Sequence, residues 1–150
     1  MIKNEELLIL YLYLPSSEDE KIIDPIRIMK GVFLICKEIE EFKDLYLFEP
    51  YLYGPCSFEI YSDLRQLMAK GIVQEHTQEV HYWSLYSLTS SGEKIAKEIV
   101  QKIPKESLDK ISNIKQTITK LAFIELLRFI YRKYPDYAKK SIFNVLSPQT

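Results

Sequence analysis

From Leu7 to Leu14 the chain is apolar or aromatic at every position. Such a run leaves no polar helical face, so it predicts a short helix buried on most sides and ended by Pro15 and a polar loop. Asn4 is the expected cap, and Glu5 and Glu6 suit the positive end of the helix dipole. A second helix is expected from Asp24-Pro25, a cap followed by proline at the first helical position. Ile26, Met29, Val32, Phe33, Cys36 and Ile39 recur every three or four residues and mark its core face, with Cys36 as a small core residue.

The next stretch, LYLFEPYLYGPCS, reads as an extended path and a turn imposed by Pro50 and Gly54-Pro55. Ser57 then caps a third helix. Its expected inward set is Phe58, Ile60, Tyr61, Leu64, Leu67 and Met68. Glu59, Ser62, Asp63, Gln66, Ala69 and Lys70 face outward with Arg65 at the margin, and Gly71 takes the left-handed position at the end. Two β segments follow, 72–77 and 81–88, joined through a polar tip at Gln78 and Glu79. A further helix opens in TSSGEK, with Ser90 or Ser91 as its cap, and stops at Pro104. Beyond it Leu108, Ile111, Ile114, Ile118 and Leu121 have coiled-coil-like spacing, and AFIELLRFIY continues helical until Pro135.

The order helix, helix, turn, helix, hairpin, helix predicts a mainly α fold with a small β-hairpin: a winged helix-turn-helix followed by C-terminal helices. Residues 1–103 would form the winged-helix domain. Residues 104–150 would be a helical extension that packs on it or forms the interface of a homodimer.

Three segments carry a family likeness: YLYGPCSFEIYSDLRQLMAKGIV, YSLTSSG and LLRFIYRKYPDY. Together they resemble a group of poorly characterised prokaryotic winged helix-turn-helix proteins with Tyr-Gly-Pro-x-Ser, Leu-Thr-x-x-Gly and Tyr-Pro-x-Tyr segments. More distantly, the chain is similar to Panacea-type antitoxin domains, which also carry a Tyr-Gly-Pro segment. The resemblance implies a winged-helix fold and transfers no activity. The Leu-Thr-x-x-Gly stretch has its own mechanical sense: Leu88 anchors the strand, Thr89 accepts the first free N–H groups of the next helix, and Gly92 permits a close backbone approach.

Charge sharpens the functional question. Residues 1–92 hold 8 Lys/Arg against 15 Asp/Glu, a net −7, whereas residues 93–150 hold 12 against 6, a net +6. The leading expectation is a DNA-binding transcriptional regulator of double-stranded DNA, with the third helix in the major groove and the hairpin as wing. Gln66 is the candidate for a base edge, because glutamine pairs bidentately with adenine. Ser57, Ser62, Arg65 and Lys70 are candidate phosphate or base contacts, and His76, Thr77, Gln78 and His81 are candidates on the wing. Phosphate neutralisation supplies most non-specific affinity, and this face carries Glu59 and Asp63 against Arg65 and Lys70, with Glu75 and Glu79 on the wing. The lysines instead lie at Lys94, Lys97, Lys102, Lys105, Lys110, Lys115 and Lys120. The competing expectation is therefore a protein-binding module, an antitoxin, adaptor or accessory subunit, anchored by exposed tyrosines, of the chain's 11, in LYLFEPYLY and HYWSLYSL.

No Gly-rich phosphate loop and no Ser/His/Asp context suggests an enzyme, and nothing calls for a cofactor. Cys36, Cys56, His76 and His81 match no metal-ligand spacing. The start lacks a signal-peptide pattern, and the apolar runs are too short to span a bilayer, so a cytoplasmic protein that avoids membranes is expected.

Overall fold

A computed structural model describes residues 2–18, 20–77 and 84–143. The fold is mainly helical with two small antiparallel two-stranded sheets. Helices α1 (Asn4–Tyr13), α2 (Pro25–Glu38) and α3 (Phe58–Ala69) come first. A hairpin of β1 (Glu49–Tyr51) and β2 (Gly54–Cys56) lies between α2 and α3. A second hairpin of β3 (Val73–His76) and β4 (Leu85–Leu88) follows α3, and then α4 (Ser90–Lys102), α5 (Lys105–Lys120) and α6 (Phe123–Lys133). Ile23 adds a short third rung beside β4: its N–H donates to Tyr86 O at 3.0 Å, and Tyr86 N–H returns to Ile23 O at 2.8 Å. Among the described residues no helix is long and apolar enough to cross a membrane.

Helix α2 is the centre of the molecule. Every residue from Ile28 to Cys36 is buried, Lys30 and Gly31 included. Asp24 caps it as the sequence predicts, accepting from Arg27 N–H at 2.8 Å, and also ion-pairs with the Arg27 side chain. Arg27 reaches further, donating to Leu121 O at 2.6 Å and so tying the start of α2 to the α5–α6 connection. Helix α1 crosses α2 where Gly31 leaves room for the Tyr11 ring, whose hydroxyl donates to Arg27 O at 3.0 Å; a β-carbon on Gly31 would run into that ring.

The C-terminal helices close over the same core. Ile111 joins the cluster formed by α1, α2 and α3, while Ile118, Leu126, Leu127, Ile130 and Tyr131 pack with Phe33 and Leu34 of α2. The apolar stripe of α5 and α6 is thus covered from within the chain. Lys115, expected among solvated lysines, is instead only 2 % exposed. Its ammonium donates to Leu12 O at 3.1 Å and Leu14 O at 2.5 Å, beside the Tyr11 ring. It satisfies carbonyls left free at the end of α1, where the helix dipole favours a cation.

Capping departs from expectation in three places. Lys3, not Asn4, precedes α1, and its N–H is met by Glu6 at 2.9 Å. Asn4 is freed to donate its side-chain amide to Glu59 on α3 at 2.6 Å. Ser57 stands at the start of α3 without a side-chain capping bond, and Thr89, as the Leu-Thr-x-x-Gly stretch suggests, caps α4 through Gly92 N–H at 3.0 Å in place of Ser90 or Ser91. The glycine expectations hold: Gly71 has φ +74, and a β-carbon on Gly92 would collide with the Ile72 carbonyl. Gly54 adds φ +95 under the Tyr131 ring.

Burial without a carboxylate partner lowers the pKa of Lys115 to about 7 and that of Lys30 to about 8, against an ordinary value near 10.4. For these two lysines the unfolded chain binds more protons than the folded one between about pH 7 and pH 10, which raises stability as pH climbs from about 7. The buried thiols Cys36 and Cys56, pushed up by desolvation, oppose the rise from about pH 8.5, and at higher pH buried Tyr11 and Tyr46, which resist ionisation, reverse it. Urea unfolding should therefore show a higher midpoint at about pH 9 than at about pH 7, with a shallower rise in Lys115→Met. A wild-type profile flat across that interval would contradict these environments.

Candidate interaction face

Helix α3 turns Ile60, Leu64 and Leu67 inward. At 100° per residue the opposite stripe is Phe58, Ser62, Arg65, Gln66 and Ala69. Phe58, expected in the core, is 50 % exposed. The apolar periodicity of α3 includes it, but the helix begins there, and at its N-terminal end the chain below is the β1–β2 hairpin rather than core. Its ring meets Tyr51 edge-on at 5.1 Å and lies 6.5 Å from Tyr61.

The acids of α3 sit off that stripe and are held. Asp63 accepts from the buried Tyr46 hydroxyl at 2.6 Å, which together with burial raises the tyrosine pKa. Glu59 accepts from Asn4, and Lys70 at the end of α3 pairs with Glu5 of α1 at 3.1 Å. Helix α1 thus grips the flank of α3 at two points.

The remaining candidate contacts are scattered in character. Arg65, Gln66, Lys70 and Thr77 are exposed, and Ser62 is half-buried. Ser57 is 5 % exposed, with its N–H toward Met29 Sδ, so it is not on the outer surface and leaves the contact set. His76 is half-buried, and its ring bonds Ser87 Oγ at 2.7 Å. Gln78, Glu79 and His81 lie outside the described residues. Of the lysines counted as a basic stripe, Lys102 pairs with Glu6, Lys110 with Glu106, and Lys115 is buried.

The stretch LYLFEPYLY, a source of candidate interface anchors, forms the surface beside the start of α3. The loop leading into β1 and the hairpin itself present Leu47 at 84 % exposure, with Tyr51 and Leu52 at 41 % each. Between this loop and α3 lies a cleft of about 680 Å³ floored by Leu45, Phe48 and Cys56 and edged by Asp44, Glu49 and Glu59. Among the described residues no Lys or Arg lines it. The signal was present in LYLFEPYLYGPCS as aromatics spaced among Asp44, Glu49 and a Gly-Pro turn, but one face of that segment had to be assigned to the core before the other could be recognised.

Both cysteines are buried free thiols, and among the described residues no group of three or more His, Cys, Asp or Glu side chains is placed to hold a metal. Phe58→Ala should cost under about 1 kcal/mol in urea unfolding, as for a surface side chain, rather than the roughly 3–5 kcal/mol of a buried phenylalanine. A loss in the larger range would return Phe58 to the core. No known family model and no curated protein matches the chain.

Proposed function

We propose that the protein is a winged-helix module that docks a partner protein through the start of α3 and the β1–β2 hairpin. The winged-helix reading is supported by the order α1, Ile23 rung, α2, α3, β3, β4, with Ile23 beside β4 as the short first strand. The module departs from a simple helix-turn-helix in that residues 39–57, with a hairpin of their own, separate α2 from α3. That insertion supplies the docking face.

The observation that carries the proposal is exposed apolar surface gathered with carboxylates, with no Lys or Arg among the described residues that line it. Among the described residues, Leu47, Tyr51, Leu52 and Phe58 are the exposed large hydrophobics of the first half of the chain; Leu47 and Phe58 line one cleft, and Tyr51 meets the Phe58 ring. Contiguous exposed apolar surface with a polar rim marks interaction sites. Large aromatic side chains are the usual anchors of protein interfaces. A phosphate backbone approaching α3 would instead meet Asp44, Glu49 and Glu59.

The DNA-binding reading stands second, favoured by one observation. Glu59 and Asp63 are drawn aside by Asn4 and Tyr46, which leaves Ser62, Arg65 and Gln66 at the centre of the outward stripe. In that case Gln66 and Arg65 would address bases and phosphate, with Lys70 and Thr77 beside them.

A photo-reactive amino acid placed at Leu47 in the native cell tests the proposal. A discrete protein adduct that disappears in Phe58→Ser is expected. An adduct to DNA, or a protein adduct indifferent to Phe58→Ser, would contradict it.

A further inference from the structure

Resting on the docking reading above, we propose that the occupant of this face is a basic amphipathic segment of a partner protein, with Lys or Arg over Asp44, Glu49 and Glu59 and aliphatic side chains over Leu47 and Phe58. The chemistry follows from how the cleft is lined. Three carboxylates edge an apolar floor that no described Lys or Arg lines, and Lys43 beside Asp44 is paired with Glu40. An acidic segment would be repelled, at a cost that complementary charge avoids. A small polycation would satisfy the carboxylates yet leave Leu47 and Phe58 in water.

Long basic side chains meet both demands. Their methylene stems lie along apolar surface while the charged head stays at the polar rim. Arg in addition can bond a carboxylate through two parallel N–H donors. A second copy of this chain is a poorer occupant. Its basic half, among the described residues, exposes only Ile124 and Ile142 as large hydrophobics; one starts α6 and the other is bonded through its backbone to Leu52. The remaining apolar positions of α5 and α6 are already used inside the fold.

The test uses the full chain and two labelled synthetic peptides of one amphipathic helical design. One peptide carries Lys and Arg beside its Leu/Ile face, and its twin carries Glu at those positions. The basic peptide should bind at least about 10-fold tighter than the twin, and its binding should weaken as salt is raised. Asp44→Lys/Glu49→Lys, at two exposed positions, should abolish or invert the preference. Glu98→Lys/Asp109→Lys, the same charge change on α4 and α5, should leave it intact. Equal binding of the twins, preference for the acidic one, binding of neither, or equal sensitivity to both double variants would overturn the proposal.

Leu47→Ser/Phe58→Ser separates the two levels of inference. If these changes weaken binding of an acidic or neutral peptide, the docking face stands and its basic specificity falls. If they affect no peptide, the docking reading falls as well. Salt-sensitive dimers in sedimentation that dissociate in Asp44→Lys/Glu49→Lys would make a second copy the occupant and overturn the choice made here.

Discussion

The packing of Tyr11 against Gly31 fixes the rest of this fold. A buried tyrosine must place its hydroxyl on an acceptor, and here its route runs across the backbone of α2 to the Arg27 carbonyl. That route exists because position 31 has no side chain. Helix α1 can then lie close on α2, and Lys115 comes over the far side of the same ring to cap the end of α1. One small residue thus lets three helices share a single aromatic ring. Alanine would raise the helix propensity of that position by about 1 kcal/mol, yet its methyl would occupy the space that the ring fills.

Once α1 is set, its first turn sets α3. Asn4 reaches Glu59 and Glu5 reaches Lys70, so the outer flank of α3 is held by polar contacts while Leu64 and Leu67 are held by the core. On the opposite side of the approach, Tyr46 fixes Asp63. These contacts are partly exposed and individually modest, on the order of 1 kcal/mol or less each. Their larger effect is electrostatic. They hold the carboxylates Glu59 and Asp63 off the outward stripe, where Arg65 stays, while Asp44 and Glu49 lie around the apolar surface at its start. The acidic first half is paired in part with the basic half, Glu6 with Lys102 and Glu38 with Lys133, while Lys115 is withdrawn into the core.

The helices were legible because each carries a periodic apolar stripe or, in α1, a continuous one, and because Pro25, Gly71 and Pro104 punctuate them. Thr89 and Gly92 were legible for the same local reason. The sequence does not disclose which residue of a capping run is used: Lys3 replaced Asn4 because Asn4 had a tertiary partner in Glu59. Lys115 shows the same limit in reverse. Its spacing matches the solvated lysines, and only the end of α1, distant in sequence, gives its ammonium a reason to be inside. The hairpin at 49–56 is short, contains two prolines and lacks alternation, so nothing local announced strands. Phe58 was misplaced because helical periodicity names a face but does not say where along the helix the core stops.

The central claim is that the face around α3 presents carboxylates and aromatics where nucleic-acid recognition needs cations. Titrating the purified chain into a fluorescent DNA duplex at low salt, followed by anisotropy, tests it most directly. Electrostatic attraction is greatest there, so weak phosphate binding would show. The anisotropy should stay flat throughout the titration. A saturable rise that weakens steeply with salt and is lost in Arg65→Ala would contradict the claim and place α3 on DNA.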